Sequence, residues 1–446
     1  MASISADGRW FALGFDDGTM PFRAVKGMND ILPEQMARWQ RLESAFRETM
    51  ALYGYGEVRT PVVEETQLFV RSIGESTEVV DKEMYSFARH DTSLTLRPEG
   101  TAGAARAFLE HGVYSRAPLT RWYYLGPMFR AERPQRGRYR QFWQAGGEVY
   151  GDQGPVADAE MIVMLCDLLQ KLGVTDLHIA VNSIGSPQAR ERYRQLLLDY
   201  LRPRVEHLSE HARARLEDNP LRVLDSKDER DRTVVSTSPS ILDALDTEDQ
   251  EHFSEVTRML DGSGVGYRIE PRLVRGLDYY TRTVFEISTS SAGVGAQNAL
   301  VGGGRYDTLL AGLGGPQIAA VGFAMGLERL LLAMPEETPK KSLPCYFVTL
   351  GTETWSKALE LAQSVRRAGY RAELDARQGA SLKSQLRRAD ALGARYAVVV
   401  GPDELQRQVA ALKDLAQHTQ RELPLDQLVP TLLGELSHPQ QQERPH

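Results

Sequence analysis

Ten residues, Pro335-Glu-Glu-Thr-Pro339-Lys-Lys-Ser-Leu-Pro344, divide the chain into two parts built on different rules. Three prolines in so short a polar run exclude a continuous helix or strand, because each removes a backbone donor and fixes φ. Residues 336 to 344 therefore read as a linker. Beyond it the hydrophobic pattern alternates: strand from Cys345 to Leu350, helix from Trp355 to Ala368 ended by Gly369, strand from Tyr370 to Leu374, helix from Leu382 to Leu392 ended by Gly393, strand from Tyr396 to Val400. That alternation predicts a small α/β domain over residues 345 to 432, with a polar tail at 433 to 446.

Ahead of the linker the pattern is mixed. Residues 1 to 20 show no sustained period and read as a disordered leader, with translation expected to start at Met20. Trp39, Leu42, Phe46, Met50 and Tyr53 recur at helical spacing from Pro33 until Gly54. A strand is expected from Glu57 to Val62, and strand-like runs at 122–125 and 142–150 flank a polar loop as in an antiparallel hairpin. A helix follows from near Asp158 to Leu172, then a charged helical insertion at about 186 to 263. Strand-like runs return at 267–271, 283–289 and 299–301, and a glycine-rich segment leads to a helix expected near Ala324.

Composition narrows the class. A hydrophobic share of 42% with 25% charged residues excludes disorder for the bulk of the chain. The net charge of −7 means that any polyanion must be held by a local basic patch. Two cysteines, Cys166 and Cys345, exclude a disulfide framework and a Cys-rich zinc site. No apolar run approaches the roughly 18 residues that span a bilayer, so the expectation is a cytoplasmic protein without a membrane segment.

Some short motifs point nowhere. His207-Leu-Ser-Glu210-His211 fits a metallopeptidase pattern without an evident third ligand, and reads as a solvated helix. Gly262-Ser-Gly264-Val-Gly266 precedes a strand rather than a helix and reads as a connector. No P-loop pattern occurs, and Cys166 reads as core.

Chemistry concentrates elsewhere. Between Arg121 and Arg140 stand six arginines against one acid, Glu132. Guanidinium groups suit phosphate, and Trp122, Tyr123, Tyr124, Tyr139, Phe142 and Trp143 offer faces to a base. A solvated basic hairpin with aromatics in the core is the other reading. A second cluster, Arg275-Gly-Leu-Asp278-Tyr279-Tyr280-Thr-Arg282, forms either a strand entrance or a polar pocket for a small zwitterion. Glu99 and Glu148 could add carboxylates for an ammonium or a ring N–H. From Ala376 to Arg395, five basic residues face one acid, either an RNA patch or a charged helix face.

Taken in order, Arg97-Pro-Glu-Gly-Thr101, Phe129-Arg-Ala-Glu-Arg-Pro-Gln135, Gly137-Arg-Tyr-Arg-Gln-Phe142, Arg275-Gly-Leu-Asp-Tyr-Tyr280, Gly303-Gly-Arg-Tyr-Asp307 and Val321-Gly-Phe-Ala-Met-Gly-Leu-Glu-Arg329 resemble the histidyl-tRNA synthetase family of class II enzymes, over residues 21 to 432. The resemblance implies an α+β catalytic core over 21 to 335, an antiparallel sheet flanked by helices with the helical module inserted, and a C-terminal α/β anticodon-binding domain. It implies ATP as substrate, Mg2+ accompanying its phosphates without a dedicated protein metal site, L-histidine and tRNA(His) as partners, and a homodimer built on the helix after Glu34.

Residue by residue, Arg130 would hold the α-phosphate, Glu132 the adenine amino group, and Phe142 would stack on adenine. Arg138 and Arg329 would grip the outer phosphates. Arg275 would be a fixed catalytic cation beside the α-phosphate, together with Arg130. Glu99, Thr101 and Gln144 would bind the α-amino group, Glu148 and Tyr280 the imidazole, with Tyr279 beside them. Lys383, Arg387 and Arg388 would meet tRNA. Ala131 and Trp143 depart from the family's usual residues without touching these roles. A catalytically silent relative, the regulatory subunit of ATP phosphoribosyltransferase, is the alternative, disfavoured because it lacks the second domain.

Overall fold

The computed structural model describes residues 22–74, 77, 79–217, 219–224, 226, 228–274, 279–291, 298–336, 343–375, 377 and 379–437. They fall into two compact units divided after Glu336. The leader and most of the linker lie outside the described residues, as do Arg275, Gly276, Leu277 and Asp278.

The first unit is organised by an eight-stranded sheet. Its order is Gly56–Glu57, Thr120–Phe129, Gln141–Tyr150, Ala320–Gly326, Ala299–Arg305, Thr281–Thr289, Leu177–Ser183 and Tyr267–Ile269. The interior pairs are antiparallel, and only the two outermost strands run parallel to their neighbours. Because strand side chains alternate between faces, Val149 and Val321 enter one hydrophobic cluster while Tyr150 and Ala320 enter another. Helix Pro33–Leu52 covers the first face with Trp39, Leu42, Phe46 and Met50, as its spacing predicts. Helix Pro155–Lys171 joins it through Met161, Ile162, Leu165 and Cys166. Each fully buried side chain of this kind stabilises the unit by roughly 1.5–3 kcal/mol.

The second cluster holds Phe108 of helix Thr101–Glu110 and, from the insertion, Tyr193 and Leu197 of helix Pro187–Leu201. The insertion continues through short helices to Thr247–Gly262, whose start is capped by the Asp246 side chain. It is fixed to the sheet through buried charges. Asp249 accepts from the Ser186 backbone N–H at 2.8 Å and pairs with Arg282 at 3.1 Å, and His252 meets Asp158 at 2.9 Å. His207 ends a 3-10 turn and Glu210 opens the next helix, so that motif does not share one helical face. Gly262 to Gly266 connects a helix to strand Tyr267–Ile269.

Three local expectations change. The strand expected from Glu57 to Val62 is two short strands in different sheets, Gly56–Glu57 and Val63–Glu65, with Pro61 and its missing donor between them. The helix expected near Ala324 begins at Leu327. Residues Ala320–Gly326 are strand, their period of two hidden because Gly322, Ala324 and Gly326 are too small to mark a face. In the second unit the sheet order is Ala372–Leu374, Leu343–Thr349, Ala394–Val400, Val409–Asp414, Thr419–Pro424, the first three strands parallel and the last two an added antiparallel hairpin. Helix Leu425–Ser437 continues into residues read as tail.

Candidate active site

A cavity of about 250 Å³ opens over the middle of the large sheet. Its chemistry divides into a carboxylate cluster and an arginine cluster.

The carboxylate cluster starts at helix Thr101–Glu110. The Glu99 side chain turns back on the helix, accepting from the backbone N–H groups of Thr101 at 2.6 Å and Ala102 at 2.9 Å. It thereby satisfies two of the donors that every helix start leaves open. Burial raises its carboxyl above the usual range, opposed by those N–H groups and by Arg130. Glu148 is wholly buried behind Thr101 and Tyr306. Its Oε1 accepts from Thr101 Oγ1 at 2.8 Å and from the Tyr124 hydroxyl at 3.3 Å, and its Oε2 accepts from the Tyr306 hydroxyl. Burial pushes this carboxyl up to about 8, while the Tyr306 and Thr101 hydroxyls pull it down. Gln144 accepts from Gly100 N–H at 3.1 Å, and Tyr279 packs between Tyr280 and Tyr306, with ring centroids 4.7 and 5.4 Å apart.

Glycine creates the room for Glu148. On the neighbouring strand Gly322 sits opposite it in register, and a Cβ there would fall 1.7 Å from Glu148 Oε2. No side chain other than hydrogen fits.

Arginine side chains of the hairpin Thr120–Phe129 and Gln141–Tyr150 and of helix Leu327–Ala333 form the second cluster. Arg130 donates to Pro98 O at 2.9 Å and lies 5.4 Å from the centre of the Phe142 ring. Arg138 pairs with Glu132 at 3.0 Å, leaving its buried Nε without a partner. Arg329 donates to Gly137 O at 3.3 Å and Ala299 O at 3.1 Å, and burial together with Arg138 lowers its guanidinium from the ordinary value. Next to it Glu328 accepts from Trp143 N–H at 2.9 Å, its carboxyl raised by burial to about 7.

Glu99, Thr101, Arg130, Glu132, Arg138, Phe142, Gln144, Tyr279, Tyr280 and Arg329 thus line one cavity, with Glu148 directly behind its wall. Of the aromatics read as stacking faces, only Tyr139 and Phe142 line it. Tyr123 and Tyr124 are buried, Trp122 packs on Phe108, and Trp143 on Trp39. Arg275 lies outside the described residues. Lys383, Arg387 and Arg388 are exposed on helix Leu382–Ala391 of the second unit. In the same stretch Arg377 is engaged by Asp375 at 2.7 Å.

Sequence reasoning assigned no role to Tyr306, Gly322 or Glu328. Tyr306 and Gly322 sit inside quoted motifs, yet only register shows that they meet Glu148.

Residues 27–330 match the family model for histidyl-tRNA synthetase, and residues 345–435 match that of the anticodon binding domain. The chain belongs to the histidyl-tRNA synthetase family. It is 55% identical over 407 residues to the histidine–tRNA ligase of Sorangium cellulosum, covering 91% of this chain and 95% of that one. To the histidine–tRNA ligase of Geobacter sulfurreducens it is 44% identical over 402 residues, 90% and 97% of the two chains. The crystal structure of apo Staphylococcus aureus histidyl-tRNA synthetase superposes with a TM-score of 0.77 at 34% identity, covering 92% of this chain and 99% of that one. The class II synthetase fold, sheet core and separate second domain, is the one the resemblance implied.

Proposed function

We propose that this chain activates L-histidine with ATP, forming histidyl-adenylate and pyrophosphate, and transfers the histidyl group to the 3′ end of tRNA(His). One observation carries the reading: a buried carboxylate, Glu148, held by three hydroxyls, stands directly behind the wall of a cavity that a cluster of arginines lines. A carboxylate has about four acceptor positions. An imidazole N–H would fill the one that remains and favour the ionised form of Glu148, while Tyr280 serves the other ring nitrogen and Tyr279 packs alongside. Glu99, Thr101 and Gln144 would receive the α-amino group.

ATP would lie along the arginine cluster, adenine on Phe142 with its amino group at Glu132, the α-phosphate at Arg130, and the outer phosphates at Arg138 and Arg329. The Glu132 to Arg138 pair has to part for both to serve. The histidine carboxylate then attacks the α-phosphorus in line and pyrophosphate leaves. Arg275, assigned by resemblance, would stabilise the charge beside Arg130. No side-chain nucleophile is needed. Mg2+ would enter bound to the phosphates of ATP. Other amino acids leave the last acceptor position of the buried Glu148 unfilled, and a site built to pair a substrate N–H can discriminate by about 10⁴ to 10⁵ without editing.

Lys383, Arg387 and Arg388 would meet the tRNA backbone. A cytoplasmic homodimer completes the reading; its dimeric part is supported by apolar residues left exposed on the first helix and at the three-stranded sheet of Val63–Glu65, Thr92–Leu96 and Tyr85–Arg89: Leu52, Val62, Val63 and Phe87. Among the described residues no helix is long and apolar enough to cross a membrane. The regulatory-subunit alternative is less supported, since residues 345–435 match the anticodon binding domain and the ligase relatives align over about nine-tenths of the chain.

Histidine-dependent ATP–pyrophosphate exchange, with threonine and proline as substitutes, tests the reading. Exchange with histidine alone, followed by charging of tRNA(His), is expected. Folded protein that binds histidine without exchange would refute it.

A further inference from the structure

The motif Gly303-Gly-Arg-Tyr-Asp307 has no part in the roles above, yet its centre touches the site. Arg305 ends strand Ala299–Arg305 and is completely buried. It holds Asp158 at 2.8 Å and Asp307 at 3.3 Å, and donates to the backbone carbonyls of Asp152 at 2.7 Å and Gly154 at 2.8 Å. A guanidinium with its donors so occupied fixes the backbone on either side of it. The next residue, Tyr306, is also pinned by its own N–H, which donates to Ala320 O at 2.7 Å. Its ring is 1% exposed, packs edge-on against Tyr279 and lines the cavity, and its hydroxyl donates to Glu148 Oε2.

We infer that Tyr306 is a positioning residue for histidine recognition: its hydroxyl fixes the Glu148 carboxylate in the orientation whose last open acceptor position serves the imidazole. The inference rests on the proposed function. The count of donors supports it. Thr101 and Tyr124 both donate to Oε1, so that oxygen is filled, whereas Oε2 has one donor, Tyr306, and one position left. Nothing else among the described residues orients Oε2, because the neighbouring Gly322 presents only a bare Cα to it. Without the Tyr306 hydroxyl the carboxylate is held through Oε1 alone, by Thr101 and Tyr124, and the direction of the open position on Oε2 is no longer fixed. Hydrogen bonds to charged groups are the strong ones, and the anchoring of Tyr306 through Arg305 gives this donor little freedom.

The test is Tyr306→Phe, which keeps the ring against Tyr279 and removes only the hydroxyl. In histidine-dependent pyrophosphate exchange the KM for histidine should rise about 10- to 100-fold, the span of one hydrogen bond to a charged group. The KM for ATP should stay within about twofold. Discrimination against β-(2-thienyl)alanine, which has the ring shape but no N–H, should narrow by a similar factor. In a Glu148→Gln background the same change should have little further effect, since Tyr306 acts through that carboxylate. Equal increases in both KM values, or an undiminished effect in the Glu148→Gln background, would make Tyr306 a purely structural residue and overturn the inference. If the parent chain shows no histidine-dependent exchange at all, the proposed function fails first, and the two failures are thereby distinguished.

Discussion

The carboxylate cluster and the arginine cluster share one cavity but are prepared in opposite ways. Glu99 and Glu148 are held by backbone N–H groups and hydroxyls that need not move for a ligand to enter. Arg138, by contrast, is paired with Glu132, so a nucleotide must exchange one ion pair for another. The difference teaches that an amino acid pocket can be preformed with neutral donors, which satisfy a buried acid without competing for its charge. A polyphosphate site needs cations, and without a ligand Arg138 holds an acid while Arg130 and Arg329 hold backbone carbonyls.

Substitutions confined to one cluster should separate the two. The largest effect is expected from Arg130→Ala, which removes a cation from the reacting phosphate and should lower the rate of exchange by about 10²- to 10³-fold. A change of less than about fivefold in single-turnover adenylation would remove Arg130 from the chemistry. Next comes Gly322→Ala, whose Cβ would meet Glu148 Oε2. It should raise the histidine KM by roughly 10-fold or more and leave the ATP KM alone, because the displaced carboxylate belongs to one cluster only. Arg138→Ala should do the reverse, raising the ATP KM by about 10-fold with histidine affinity unchanged; parallel shifts in both would erase the division.

A smaller effect follows from pH. Burial raises Glu148 to about 8 from its ordinary 4.5, so without histidine the folded chain retains, between those values, a proton that the unfolded chain releases. Stability contributed by this group is complete below about 4.5 and is lost as pH climbs towards 8. Urea midpoints measured from pH 5 to 8 should therefore fall more steeply for the parent than for Glu148→Gln. Identical slopes would mean that Glu148 is ionised throughout.

How much of this could be read from the chain depended on the physical origin of each signal. Helix Pro33–Leu52 was legible because large apolar residues mark its face at helical spacing, and the two-unit division because prolines break the pattern between them. Strand Ala320–Gly326 was not, since the glycines that make room for Glu148 erase the alternation by which strands are recognised. The arginine cluster announced itself as local charge in an acidic chain. Tyr306 carries no such mark: it meets Glu148 across 158 positions of sequence, through a register that only the folded sheet displays. Tyr123 and Tyr124 misled for the matching reason, as aromatic content does not tell which face of a strand turns to the cavity.

Titration calorimetry of histidine binding in the absence of ATP, for the parent and for Gly322→Ala and Arg138→Ala, tests the preformed pocket most directly. The parent and Arg138→Ala should bind histidine alike without nucleotide, and Gly322→Ala should bind it at least about 10-fold more weakly. Histidine binding that appears only once ATP is present, or that is lost with Arg138, would contradict the account.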